Sequence, residues 1–73
     1  MDMEYEIIKE IGVISVNTSS GWRKEVNLIS WSKRVPKIDI RDWSSDRSKM
    51  SKGITFTDEE AKSLAGILGE YLK

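Results

Sequence analysis

The chain has 73 residues, no cysteine and no histidine, and 12 Lys or Arg balance 12 Asp or Glu. That length suits one domain, residues 1–73, with a thin core for which oligomerisation is a common remedy. No disulfide can form, and the soft metal ligands and the commonest neutral-pH base are missing, so the composition points away from a metal or cofactor and from His-dependent catalysis.

Tyr5 to Asn17 (YEIIKEIGVISVN) is rich in Ile and Val and predicts a strand. Among its apolar residues, those at 5, 7 and 11 share one parity and those at 14 and 16 the other. The parity change near Gly12 predicts a bulge or bend there. Thr18-Ser19-Ser20-Gly21 has the composition of a turn. A second strand, Trp22 to Ser32, places Val26 and Leu28 on one face and Arg23, Glu25, Asn27 and Trp31 on the other. Ile29 falls on the polar side and breaks the pattern. Lys33 to Pro36 reads as a loop, and Lys37 to Trp43 as a third strand. Here Ile38 and Ile40 are expected to face inward, and Lys37, Asp39, Arg41 and Trp43 outward. Ser44 to Ser51 is a polar loop and Lys52 to Phe56 a short fourth strand. Thr57-Asp58-Glu59-Glu60 is a capping box that opens a helix over about 58–72, with Ala61, Leu64, Ala65, Leu68 and Leu72 on one stripe. The expected fold class is α+β: a curved four-stranded antiparallel sheet followed by one C-terminal helix.

Zero net charge conceals an uneven distribution. Residues 22–53 hold nine Lys or Arg against four acids, an excess of five, while both flanks are acidic. A local positive field of that kind attracts phosphate even on a neutral molecule. Trp31 and Trp43, on the predicted polar faces among Arg23, Lys37 and Arg41, offer rings on which bases stack while the cations take phosphates. The same rings also suit a core, since buried aromatics supply much of a small domain's stability. Trp22, on the Val26 face, reads as core. Gly66 and Gly69 weaken the helix interior, which suits close approach of a second copy.

Enzyme chemistry has little to stand on. Asp39 and Asp42, three apart on a strand, point to opposite faces. Ser44-Ser45 has no histidine to activate it, and Lys52-Gly53 lacks the surroundings of a phosphate-binding loop. No apolar run approaches the roughly 20 residues needed to span a bilayer. The acidic start Met1-Asp2-Met3-Glu4 lacks a signal-peptide pattern, so a cytoplasmic protein without a membrane partner is expected.

Lys37-Ile38-Asp39-Ile40-Arg41-Asp42-Trp43, followed by Lys52-Gly53-Ile54-Thr55-Phe56-Thr57 and an acidic helix start, resembles the transcriptional coactivator family known as positive cofactor four. Gly21-Trp22-Arg23-Lys24-Glu25, with Ser30-Trp31 and Pro36-Lys37, is similar to its bacterial YdbC-like branch. The resemblance implies a homodimer, held partly by its helices, whose sheets form a basic, aromatic-lined channel for single-stranded DNA or unpaired duplex with little sequence preference; the sequence itself does not distinguish DNA from RNA as the ligand. It implies nucleic-acid-binding roles for Arg41 and Trp43, for Trp31 near the strand-two aromatic, for Lys52 before the motif glycine, and for Lys37 on the same face. Arg23 and Lys24 join them from the basic segment. Leu28 stands where a bacterial relative carries arginine, which implies weaker binding. The basic, serine-rich tail of the eukaryotic coactivators is absent from the sequence, which favours a simpler single-strand-binding role, bacterial and nucleoid-associated, in transcription, replication or repair. The competing expectation is a protein-interaction module that offers the same surface to a transcription or repair protein.

Overall fold

A computed structural model describes residues 4–73; the first three residues of the acidic start, Met1 to Met3, lie outside the described residues. Four strands, β1 (Tyr5–Val16), β2 (Arg23–Trp31), β3 (Lys37–Trp43) and β4 (Ile54–Phe56), precede one helix, α1 (Asp58–Tyr71). The strands form one open antiparallel sheet in the order β1-β2-β3-β4. This is the expected α+β arrangement, with element ends moved by two residues at most.

Each join has local chemistry behind it. Between β1 and β2 the Asn17 side chain accepts from the Ser19 and Ser20 amides at 2.9 and 3.1 Å, and Gly21 takes a φ of 81° that favours glycine. Before α1 the Thr57 hydroxyl accepts from the Glu60 amide at 3.1 Å, and the Glu60 carboxylate accepts from the Thr57 amide at 2.8 Å. That is the capping box expected from the sequence, and Asp58, Glu59 and Glu60 place negative charge at the positive end of the helix.

β1 departs from regular pairing more often than expected. Its register against β2 shifts between Ile7 and Lys9, between Glu10 and Gly12, and between Val13 and Ser15. The extra residues are Ile8, Ile11 and Ile14, one every third position. The bulge expected near Gly12 is present, as one of these three. Each bulge adds local twist and bend.

The curl that results is visible in the aromatic contacts. Trp31 pairs with Tyr5 at one end of β2, whereas Trp43 pairs with Arg23 at the other. Those ends are separated by about 25 Å of strand at ordinary rise. Yet the Tyr5 ring lies 5.4 Å from Trp31 and 5.5 Å from Trp43, centroid to centroid. The sheet therefore bends toward the face that carries these three rings, here called the inner face.

Burial overturns the expected assignment of faces. The inner face holds Arg23, Glu25, Asn27, Ile29 and Trp31 from β2 and Lys37, Asp39, Arg41 and Trp43 from β3, the set expected to face outward. It is nevertheless the face that buries most: Ile29 and Trp43 are 0% exposed, and Glu25, Asn27 and Asp39 are buried with them. Val26, Leu28, Ile38 and Ile40, expected inside, are only half-buried on the outer face. Curvature explains the reversal, because side chains on the inside of a bend crowd together. Among the described residues α1 contacts β3 and β4 alone of the strands, with Ala61 and Leu64 half-buried and no residue of the helix fully buried.

Candidate nucleic-acid interface

At the inner face, β2 and β3 set polar side chains opposite one another: Asn27 beside Asp39, Glu25 beside Arg41, and Arg23 beside Trp43. Three buried polar groups so close together require partners, and all but Oε2 of Glu25, which has an ion-pair contact only, are hydrogen-bonded. Asp39 accepts from Arg41 through both carboxylate oxygens, with Nε and Nη2 each at 2.7 Å. This planar, two-bond pairing fixes the guanidinium. Nη1 of Arg41 donates to the Ser51 carbonyl at 3.3 Å, and the guanidinium carbon stands 4.5 Å from the centre of the Trp31 ring. Arg41 is thus held in plane by Asp39 and Ser51 and stacked on Trp31.

Gly53 is required by that arrangement. A Cβ built there would lie 2.5 Å from the Arg41 Cβ and 2.6 Å from the Ile40 carbonyl oxygen. The glycine lets the chain leading into β4 close against Arg41. A shallow depression of about 340 Å³ results, lined by Trp31, Arg41, Lys52, Gly53 and Thr55.

A second ionic group adjoins the first. Glu25, 1% exposed, accepts from the Asn27 amide at 3.0 Å and from Arg47 Nε and Nη2 at 3.2 and 2.9 Å. Its other oxygen faces Arg23 Nη2 at 2.7 Å. Arg47 reaches it from the β3–β4 loop, where Ser44 and Asp46 knit a tight turn and Arg47 itself takes a φ of 59°. Nη1 of Arg47 donates to Glu10 on β1 at 3.2 Å. Burial pushes the Glu25 carboxyl up, but hydrogen bonds from Asn27 and Arg47 and the charges of Arg47 and Arg23 hold it below the usual carboxylate range. The hydrogen bond and charge of Arg47 lower Glu10 as well, and both partners raise Arg47.

The seven residues singled out from the sequence do not form one patch. Trp31, Arg41 and Lys52 meet in the depression, and Lys37 lies on the same face, exposed at the start of β3. Arg23 shares the inner face but is engaged with Glu25. Lys24 is on the outer face, 3.5 Å from Asp42, and is separated from the others by the thickness of the sheet. Trp43 occupies the expected face, yet its ring is fully buried under the curl. Its expected outward orientation is corrected: the ring forms the floor beneath Tyr5 and offers no surface for a base. The indole N–H groups of Trp31 and Trp43 and the Nε of Arg23 are buried without an acceptor among the described residues.

Sequence reasoning passed over Arg47 and Glu10. They lie 37 residues apart and meet only because the β3–β4 loop folds back across β2. The sole sequence signal is an arginine inside an otherwise Ser-rich loop.

The architecture is a strongly bent, open four-stranded antiparallel sheet with a single C-terminal helix, and its inner face carries stacked aromatic and guanidinium groups. The chain belongs to the transcriptional coactivator p15 (PC4) family, whose pattern it matches over residues 18–67. It is also 43% identical over 67 residues to an uncharacterized protein of Treponema pallidum (strain Nichols), an alignment that covers 92% of this chain and 78% of that one. Among the described residues no helix is long and apolar enough to cross a membrane, and no group of three or more His, Cys, Asp or Glu side chains could hold a metal ion.

Proposed function

We propose that this protein is a non-enzymatic, homodimeric binder of single-stranded DNA with little sequence preference, acting at the bacterial nucleoid in transcription, replication or repair. The observation that carries the reading is the depression in which Trp31, Arg41 and Lys52 meet. The exposed part of the Trp31–Arg41 stack is a flat surface for a nucleobase, and Lys52, with Lys37 farther along the same face, supplies mobile charge for phosphates. Arg41 has most of its in-plane donors committed to Asp39 and Ser51, so its part is stacking and positioning more than phosphate capture. Trp43 acts from below by supporting the Tyr5 ring, and Arg23 by contributing to the charge of the face. Lys24 contributes only to the long-range field. Stacking tolerates any base, which accounts for weak sequence preference.

The dimer is supported by what one chain leaves uncovered. Ile67 is 67% exposed and Leu72 73%, and Tyr71 beside them is more exposed still. An added Cβ at Gly66 or Gly69 meets no atom within 4 Å among the described residues beyond the backbone of its own helix turn, so room for a second helix remains. The same helix surface favours a second reading, in which it docks a transcription or repair protein.

The test is a titration of intrinsic tryptophan fluorescence with oligo-dT of about 20 nucleotides at two salt concentrations. Quenching that weakens with salt, at one strand per two chains, is expected. No quenching at micromolar protein overturns the reading and leaves the helix-docking alternative.

A further inference from the structure

We infer that Arg47, with Arg23 beside it, forms a second phosphate-binding position on the inner face, and that the Glu10 carboxylate occupies it as a built-in competitor. The inference rests on the single-strand-binding reading above and extends it to residues outside the depression.

The two guanidiniums converge on one buried carboxylate. Glu25 takes Nε and Nη2 of Arg47 and Nη2 of Arg23, which fixes both cations on the inner face. Two positive charges share one buried negative charge, and the remaining edge of Arg47 points away from Glu25. That edge, Nη1, carries the Glu10 carboxylate at 3.2 Å. The contrast between the two acids is what matters. The Glu25 side chain is 1% exposed and cannot leave, whereas the Glu10 side chain is 68% exposed on an edge strand and can swing into water. An exposed ion pair of this kind is weak. A phosphate presents the same acceptor geometry to an arginine edge, so a bound strand can displace Glu10 and take its place.

The position is also on the way along the face. Glu25 pairs in register with Arg41, so the Arg47–Glu25 group directly adjoins the Trp31–Arg41 stack. A strand that stacks a base there runs its backbone past Arg47. With Glu10 in place the group Glu10, Glu25, Arg23 and Arg47 is neutral; with Glu10 displaced it becomes a net cation. The positive excess of the middle segment is therefore partly masked by an acid from the first strand and unmasked by the ligand.

The experiment compares oligo-dT affinity and its salt dependence for the wild type, Glu10→Gln, Glu6→Gln, Arg47→Gln and the double variant Glu10→Gln/Arg47→Gln. Glu6 is an exposed acid on the same strand, but it pairs with Ser30 on the outer face, so Glu6→Gln makes the same change in net charge at the wrong place. Arg47→Gln keeps a donor for Glu25, and thermal unfolding checks each variant. Glu10→Gln is expected to raise affinity about two- to fivefold, the size of an exposed ion pair no longer competing. Arg47→Gln is expected to weaken binding, to make the logarithmic salt slope shallower by about 0.7, and to abolish the gain from Glu10→Gln. A gain from Glu6→Gln equal to that from Glu10→Gln, or a Glu10→Gln gain that persists without Arg47, overturns the inference. So does wild-type binding that Glu10→Gln leaves unchanged or weakens, and in that case the functional reading stands. Failure of the wild type to bind oligo-dT overturns both.

Discussion

Trp43 and Trp31 share a face, an aromatic neighbour and a residue type, yet they differ in exposure. Trp43 is fully buried, so Trp43→Ala is expected to cost about 3–5 kcal/mol of stability, read from the denaturant midpoint. Trp31 is half-exposed against Arg41. Trp31→Ala is expected to leave the chain folded and to weaken oligo-dT binding by about 1–3 kcal/mol, read by anisotropy of a labelled strand. Gly53 belongs with them, because Gly53→Ala drives a methyl into Arg41 and the Ile40 carbonyl. Overpacking of that kind is expected to cost about 1–3 kcal/mol, detected as a lowered unfolding midpoint with an unchanged slope. The acids of the inner face make a further prediction. Glu10 and Glu25 both have folded-state values held below the ordinary 4.5. Their contribution to stability is present above that value and is lost as pH falls through the lower folded values. Acid unfolding below about pH 4.5, followed by circular dichroism, is therefore expected to be less steep in Glu10→Gln than in the wild type.

At the scale of elements, the strands and the helix were legible because each is written in local chemistry. Val and Ile mark the strands, Asn17 to Gly21 the first turn, and Thr57 with Glu60 the helix start. Which face of the sheet is the inside was not legible. Alternation assigns residues to two faces but says nothing about the direction in which the sheet bends. Glu25, Asn27 and Asp39 look like a solvated face until curvature crowds them and salt bridges satisfy them. Ile29 was the clue: a single isoleucine among polar residues marked the face that would be buried. Two of β1's three bulges left no signal either, since Ile8 and Ile14 suit a regular strand as well as an irregular one. The helix carries its own test of the dimer. Gly66→Ala should favour the helix by about 1 kcal/mol, and among the described residues no atom outside its own helix turn opposes the added methyl. If a second copy packs on that surface, the variant is expected to shift the monomer–dimer equilibrium toward monomer in sedimentation, in spite of its better helix.

At the scale of the whole molecule, the candidate site was half visible from the sequence. The depression unites Trp31, Arg41 and Lys52, three residues named from composition and resemblance, because β2, β3 and the approach to β4 are adjacent in a simple meander. Arg47 and Glu10 were not visible, since only the tertiary path of the loop joins them. Four of the nine Lys and Arg counted in residues 22–53 are paired with a carboxylate: Arg23, Lys24, Arg41 and Arg47. The carboxylates of Glu25, Asp39 and Asp42 are already counted in the segment's excess, so among these partners only Glu10, from β1, lowers the local field further. A modest salt slope, of about −0.7 for each phosphate neutralised by the unpaired lysines and by Arg47 once Glu10 is displaced, is the expected consequence.

The three bulges of β1 have one more effect, on what the sheet does to its neighbours in a concentrated solution. An outermost strand of 12 residues rich in Ile and Val is a natural template for another chain to add to, and so for fibre growth. Strand addition needs an unbroken row of evenly spaced amide and carbonyl groups. Ile8, Ile11 and Ile14 interrupt that row every third residue, and the opposite rim, β4, is only three residues long. The irregularity that bends the sheet toward its inner face thus also keeps its borders from being copied.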